Sequence, residues 1–171
     1  MKKEYEGERK LEVHETPNYN TVILSGDKAK KADKEEERTT GVLLELLTHP
    51  SNKLIKEEVL VELKNDKGKK LLIEALKDYR KTEHYNTLLT ACWEAYLDFS
   101  DELPFFIELA VGSDYISNLE ILTIIEDMHG LFKEGDLTNA ITALKNVTSK
   151  KVGDKLELYK DMLKALERHV A

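Results

Sequence analysis

Gly41-Val42-Leu43-Leu44-Glu45-Leu46-Leu47-Thr48-His49-Pro50-Ser51-Asn52 opens the stretch whose reading decides the fold, and the pattern it starts runs on to Met128. Val42, Leu43, Leu44, Leu46 and Leu47 close a first helix, which Pro50 stops by disfavouring helical geometry in the residue before it. A second helix is predicted from about Lys53 to Leu63, ended by Asn65-Asp66-Lys67-Gly68, residue types that break regular structure. Leu72, Ile73, Leu76 and Tyr79 recur at helical spacing in a third, from about Lys69 to Arg80. The fourth runs from about Glu83 to Phe99, with Tyr85, Leu88, Leu89, Cys92, Tyr96 and Phe99 on one face.

Downstream the same punctuation repeats. Ser100-Asp101-Glu102 reads as the start of a fifth helix with Pro104 in its first turn, where the missing donor costs nothing, and Gly112 as its end. Ser113 or Asp114 can cap a sixth helix, closed near Met128 with Gly130 as its C-terminal cap. Asp136 to Val147 makes a seventh, and Gly153-Asp154 opens an eighth to about His169. Upstream, residues 1–32 are rich in Lys, Glu and small polar residues and read as an arm that is extended, hairpin or disordered. Within it Lys10 to Glu15 and Thr21 to Ser25 could pair across Thr16-Pro17-Asn18. The helical domain is placed at 33–171, its first helix starting near Asp33.

The composition fits this all-α reading. Eight Gly and three Pro in 171 residues are few for a strand-rich chain, and the length suffices to bury a core without disulfides or metals. A formal charge of −7 argues against binding nucleic acid, which needs a basic face. No apolar run approaches the roughly 20 residues of a membrane span, and no apolar segment of a secretion signal stands at the N-terminus. With a single cysteine, Cys92, in an apolar context, the expected setting is the reducing cytoplasm.

Glu45, Glu74 and Glu108 stand at matching places late in the first helix of three successive pairs, spaced 29 and then 34 residues. A helix-pair repeat of that period marks an α-solenoid, whose pairs bury their apolar faces only by stacking. Leu43 to Asn52 followed by Ile55 to Leu63 resembles a HEAT repeat, in which a leucine-rich first helix meets a short Pro-containing turn before an amphipathic second helix. The likeness spans about residues 36–128 and departs from the usual pattern, lacking the Val-Arg pair near the starts of the second helices and an Asp-Arg ladder. It implies an α-α superhelix of about four antiparallel pairs whose second helices line a concave, partner-binding face, and it implies no catalysis. An antiparallel helical bundle is the competing fold.

No catalytic signature stands in the sequence: no Gly-rich phosphate loop, Cys-x-x-Cys, His-Glu-x-x-His or Gly-x-Ser-x-Gly. The five His, at positions 14, 49, 84, 129 and 169, mostly flank turns, and His84 with Cys92 makes a poor metal pair because Cys92 falls on the apolar face. No catalytic residue, metal or cofactor is therefore expected. What remains is a surface. A helical projection at about 100° per residue puts Glu120, Thr123, Glu126 and Asp127 on one side of an otherwise apolar sixth helix. The matching strip of the fourth helix is Thr87, Thr90, Glu94 and Asp98, with Trp93 at its margin. The bland reading makes these solvated faces with Trp93 as packing. The sharper one makes Thr90, Trp93, Glu94, Asp98, Glu120, Thr123 and Asp127 a groove for a protein partner with a basic segment, anchored by Trp93. The expected function is a non-enzymatic interaction module, whether adaptor, scaffold or inhibitor; the alternative is a small-ligand-binding or enzymatic helical domain with a groove site.

Overall fold

In the computed structural model, residues 40–48, 53–150 and 153–170 are described. The arm, its predicted hairpin and the start of the first helix near Asp33 lie outside them. Among the described residues all regular structure is helical. The helices are α1 (Thr40–Thr48), α2 (Lys53–Glu62), α3 (Asp66–Asp78), α4 (Tyr85–Glu94), α5 (Leu103–Gly112), α6 (Tyr115–Glu126), α7 (Asp136–Thr148) and α8 (Lys155–Glu167), with one 3-10 turn at Ser100–Glu102 before α5. None is long and apolar enough to cross a membrane.

Local chemistry sets several of the helix starts. The Asn65 side chain accepts from the N–H of Gly68 at 3.0 Å and caps α3, so the helix starts at Asp66, earlier than the run of break-forming residues suggests. Gly68 thereby falls inside the first turn and is buried. A Cβ there would lie 2.6 Å from the Leu63 Cα, so the absence of a side chain is what lets α3 start against the end of α2. Pro104 occupies the first turn of α5, as its chemistry requires. Asp114 caps α6 by accepting from the Ser117 N–H at 2.8 Å.

Two C-terminal ends also differ from the sequence reading. α4 stops at Glu94, not near Phe99, because Tyr96 takes a left-handed backbone conformation (φ 51°) that no helix can pass through. Gly130, expected as a left-handed cap of α6, is not among the positive-φ residues; its role, described below, is steric.

Each helix packs on the next within a pair: α1 on α2, α3 on α4, α5 on α6 and α7 on α8. Helices two apart also meet, α1 with α3, α5 with α7, α4 with α6 and α6 with α8, and α1 reaches α4 as well. α3 and α5 join mainly by side chains: Arg80 just past α3 to Glu108 at 2.8 Å, and Lys77 Nζ at 5.5 Å from the centre of the Phe105 ring. The core runs through the whole set, from Leu43 and Leu47 by way of Leu72, Leu88, Phe106 and Ile121 to Leu144 and Tyr159. Phe99 and Phe106 meet edge to face at 5.1 Å in its middle. The Tyr159 hydroxyl donates to the Ala110 carbonyl at 3.1 Å and ties α8 to α5.

Candidate interaction face

α4 and α6 lie against each other, and their contact brings Trp93 and Glu120 together. Trp93 Nε1 donates to Glu120 Oε2 at 2.6 Å, a short, charge-assisted bond in a half-buried setting. On the other side of α4, the buried Oε2 atom of Glu94 lies 2.7 Å from Lys56 Nζ of α2, an ion pair by distance though not an aligned hydrogen bond. The polar groups of the strip thus link α2, α4 and α6 to one another. The two threonines turn their hydroxyls inward: Thr90 Oγ1 donates to the Asn86 carbonyl at 2.9 Å and Thr123 Oγ1 to the Leu119 carbonyl at 3.2 Å, the usual refuge of a mid-helix threonine. Asp127 is exposed just past α6, its carbonyl 2.6 Å from His129 Nδ1.

Asp98 lies off the helix, since α4 has already ended. There it organises a clamp. Its Oδ1 accepts from the Ser100 N–H at 3.0 Å and from Ser100 Oγ at 2.5 Å, and Ser100 Oγ in turn accepts from the Gly130 N–H at 3.0 Å. The segment after α4 is thereby pinned to the segment after α6. Burial alone would raise the Asp98 carboxyl, but the bonds from Ser100 and the His129 backbone outweigh it and hold the group below the ordinary carboxylate range. A Cβ at Gly130 would run into this carboxylate, which is why a glycine stands there. Lys69 of α3 joins the same corner, donating to the Asp98 carbonyl at 2.7 Å and to Asp101.

Among the described residues the buried polar side chains of Ser100, Ser117 and Asn118 were invisible to a reading by hydrophobic pattern. Ser117 Oγ donates to Asn86 Oδ1 at 2.8 Å across the α4–α6 contact, and Asn118 Nδ2 donates to the Asp114 carbonyl at 2.9 Å. Lys155 of α8 reaches the Ser113 carbonyl at 2.7 Å in the same turn. The only sequence signal for Ser117 and Asn118 is their place within one turn of the Asp114 cap. The Ser117 N–H on that cap, with Lys155 nearby, also keeps the Asp114 carboxyl below its ordinary value.

The exposure of α6 is a correction. The projection leaves only a polar strip in water, yet Ile116 is 54% exposed and Leu119 39%, and Tyr115 stands out beside them. The buried side is instead Ser117, Asn118, Ile121, Ile124 and Ile125. Ile116 and Leu119 fall inside the arc spanned by Glu120, Thr123 and Glu126, so the strip is part apolar. The better-covered helix is α4, in which no residue from Tyr85 to Ala95 is exposed and Asn86, Thr87, Thr90, Trp93 and Glu94 are half-buried.

Chemistry elsewhere is sparse. Cys92 is fully buried, and burial pushes its thiol far up, which removes thiolate reactivity. No group of three or more His, Cys, Asp or Glu among the described residues is placed to hold a metal. An open groove of about 410 Å³ lies between α3 and the 3-10 turn, lined by Lys69, Lys70, Glu74, Lys77 and Asp101 among others. Two of its cations are engaged, Lys69 by Asp101 and Lys77 over Phe105. Comparison with protein-family models, curated proteins and solved structures finds no match.

Proposed function

We propose that this chain is a HEAT-like repeat module of four helix pairs that binds another protein on the concave face of its second helices α2, α4, α6 and α8, and that it acts as an adaptor, scaffold or inhibitor rather than as an enzyme. The observation that carries this reading is the order of the helix contacts. Each helix meets its pair-mate, and α4–α6–α8 and α5–α7 continue as separate rows, the neighbour-on-neighbour pattern of a stacked repeat. Glu45, Glu74 and Glu108, the residues that mark the repeat, are exposed on α1, α3 and α5 alike. Trp93, held half-buried by Glu120 between two second helices, suits an anchor on such a face. The buried Cys92 and the acidic balance agree with a cytoplasmic protein partner that brings a basic segment.

A photo-crosslinking residue placed at Thr90 or Thr123 tests the face, with the same residue at Glu74 or Thr142 as the control row. The proposal expects one partner to be captured from host extract at the first two positions and not at the control pair. Capture confined to the control row would refute it. The groove beside Lys69 favours the alternative of a small-ligand site; native mass spectrometry of the purified chain decides, since a retained small molecule supports that alternative and a bare mass supports the module.

A further inference from the structure

The outward rows of α3 and α8 are built from polar residues, Lys70, Glu74 and Lys77 on α3 and Glu157, Lys160 and Lys164 on α8, and the exposed Val42, Val61 and Val111 stand singly on α1, α2 and α5. α6 differs from all of these in gathering several. Tyr115, Ile116 and Leu119 are exposed, and Leu122, half-buried, continues the row one turn on. Their spacing, i, i+1, i+4 and i+7, puts them along a single side of the helix. Large apolar side chains gathered on one exposed side mark a contact surface more than chance does. At the C-terminal end the row changes character: Glu126 and Asp127 are exposed where the carbonyl end of the helix already carries partial negative charge. Glu120 adds a third carboxylate one and a half turns earlier, with one oxygen taken by Trp93.

We infer that this row is the seat of an amphipathic helix from a partner protein, whose apolar side lies on Ile116, Leu119 and their neighbours and whose Lys or Arg cluster lies over Glu126 and Asp127. Charge selects both the occupant and its direction, because an acidic helix, or a basic one laid the other way, would bring no cation to the carboxylates. Two apolar turns supply the contact area, read as i, i+3, i+4 and i+7 anchors by the incoming helix. The inference rests on the proposal that the chain binds a protein, and it names what that protein must present.

The test is selection of short peptides from a display library against the full chain. Enriched sequences are expected to have helical apolar spacing with a basic cluster at one end. Their affinity should fall about tenfold or more with Ile116→Ser/Leu119→Ser and several-fold with Glu126→Lys/Asp127→Lys, with thermal melting of both variants unchanged because all four positions are exposed. The second loss should shrink at high salt. Enrichment of acidic or extended peptides overturns the inference, and so does binding that survives both double variants. Concentration-dependent dimers in sedimentation, lost with Ile116→Ser/Leu119→Ser, would assign the row to a second copy instead. Photo-crosslinking at Thr90 without any effect of the α6 variants would sink this inference while leaving the wider proposal standing.

Discussion

α4 and α6 are neighbours of similar length, both rich in apolar residues and both carrying a thin polar strip, yet they end in different situations. α4 touches α1, α3 and α6, leaves no residue fully exposed, and has its polar groups engaged: Asn86 by Ser117, Trp93 by Glu120, Glu94 by Lys56. α6 touches α4, α5 and α8 and still turns Ile116 and Leu119 to water. A helix's own hydropathy therefore says how much apolar surface it has, while its neighbours decide which part is covered. Apolar residues in excess of the available cover are the ones a partner can use.

The strongest way to break this comparison is to truncate one leucine on each helix. Leu89 on α4 is fully buried, and Leu89→Ala should destabilise the fold by about 2–5 kcal/mol, as cavity-forming substitutions do. Leu119→Ala on α6 should stay within about 0.5 kcal/mol, like other surface changes. Urea unfolding of both variants measures the difference. Similar losses would mean that the two helices are covered alike.

The clamp beyond the helix ends offers a smaller, pH-dependent effect. Gly130→Ala drives a methyl group at the Asp98 carboxylate and should cost about 1–3 kcal/mol, the range of overpacking. Because Asp98 is held below its ordinary value in the folded chain, the stability it contributes is full above the unfolded carboxylate range, near pH 4, and is lost as pH falls through the lower folded value. Asp98→Asn should therefore flatten part of the acid limb of the stability profile and leave the neutral-to-basic side no steeper. An acid limb of unchanged slope would place the clamp's contribution elsewhere.

Where local chemistry dominates, the chain can be read directly. Pro104 in the first turn of α5 and Asp114 before α6 act through their own backbone geometry and nearest N–H groups, so their roles follow from spacing alone. The all-helical structure of the described residues and the sites of most turns between them were legible for that reason. Gly68 misled, since the same residue that breaks helices elsewhere is inside α3 to clear the Leu63 backbone, a contact only the folded chain contains. The candidate face was half legible. The pattern put Trp93 and Glu120 on adjoining strips, and they meet. It could not say that Asp98 leaves the helix or that Ile116 stays 54% exposed, because both depend on where the following helices go. A cap is local; burial is collective.

Tyr96 tests the smallest difference, the way α4 ends. It is 81% exposed with φ 51°, and its ring centre lies 4.9 Å from Lys64 Nζ. A left-handed conformation costs a residue with a side chain about 1 kcal/mol relative to glycine. The exposed cation–π contact returns about 0.5 kcal/mol. Tyr96→Gly should then stabilise the chain by about 0.5 kcal/mol, seen as a slightly higher urea midpoint at unchanged slope. Tyr96→Phe, keeping both the ring and the strain, should change little. If Tyr96→Gly instead destabilises the chain by more than about 1 kcal/mol, the tyrosine ring supports the end of α4 more than its backbone strains it. The early stop of that helix would then be a consequence of packing rather than of conformation.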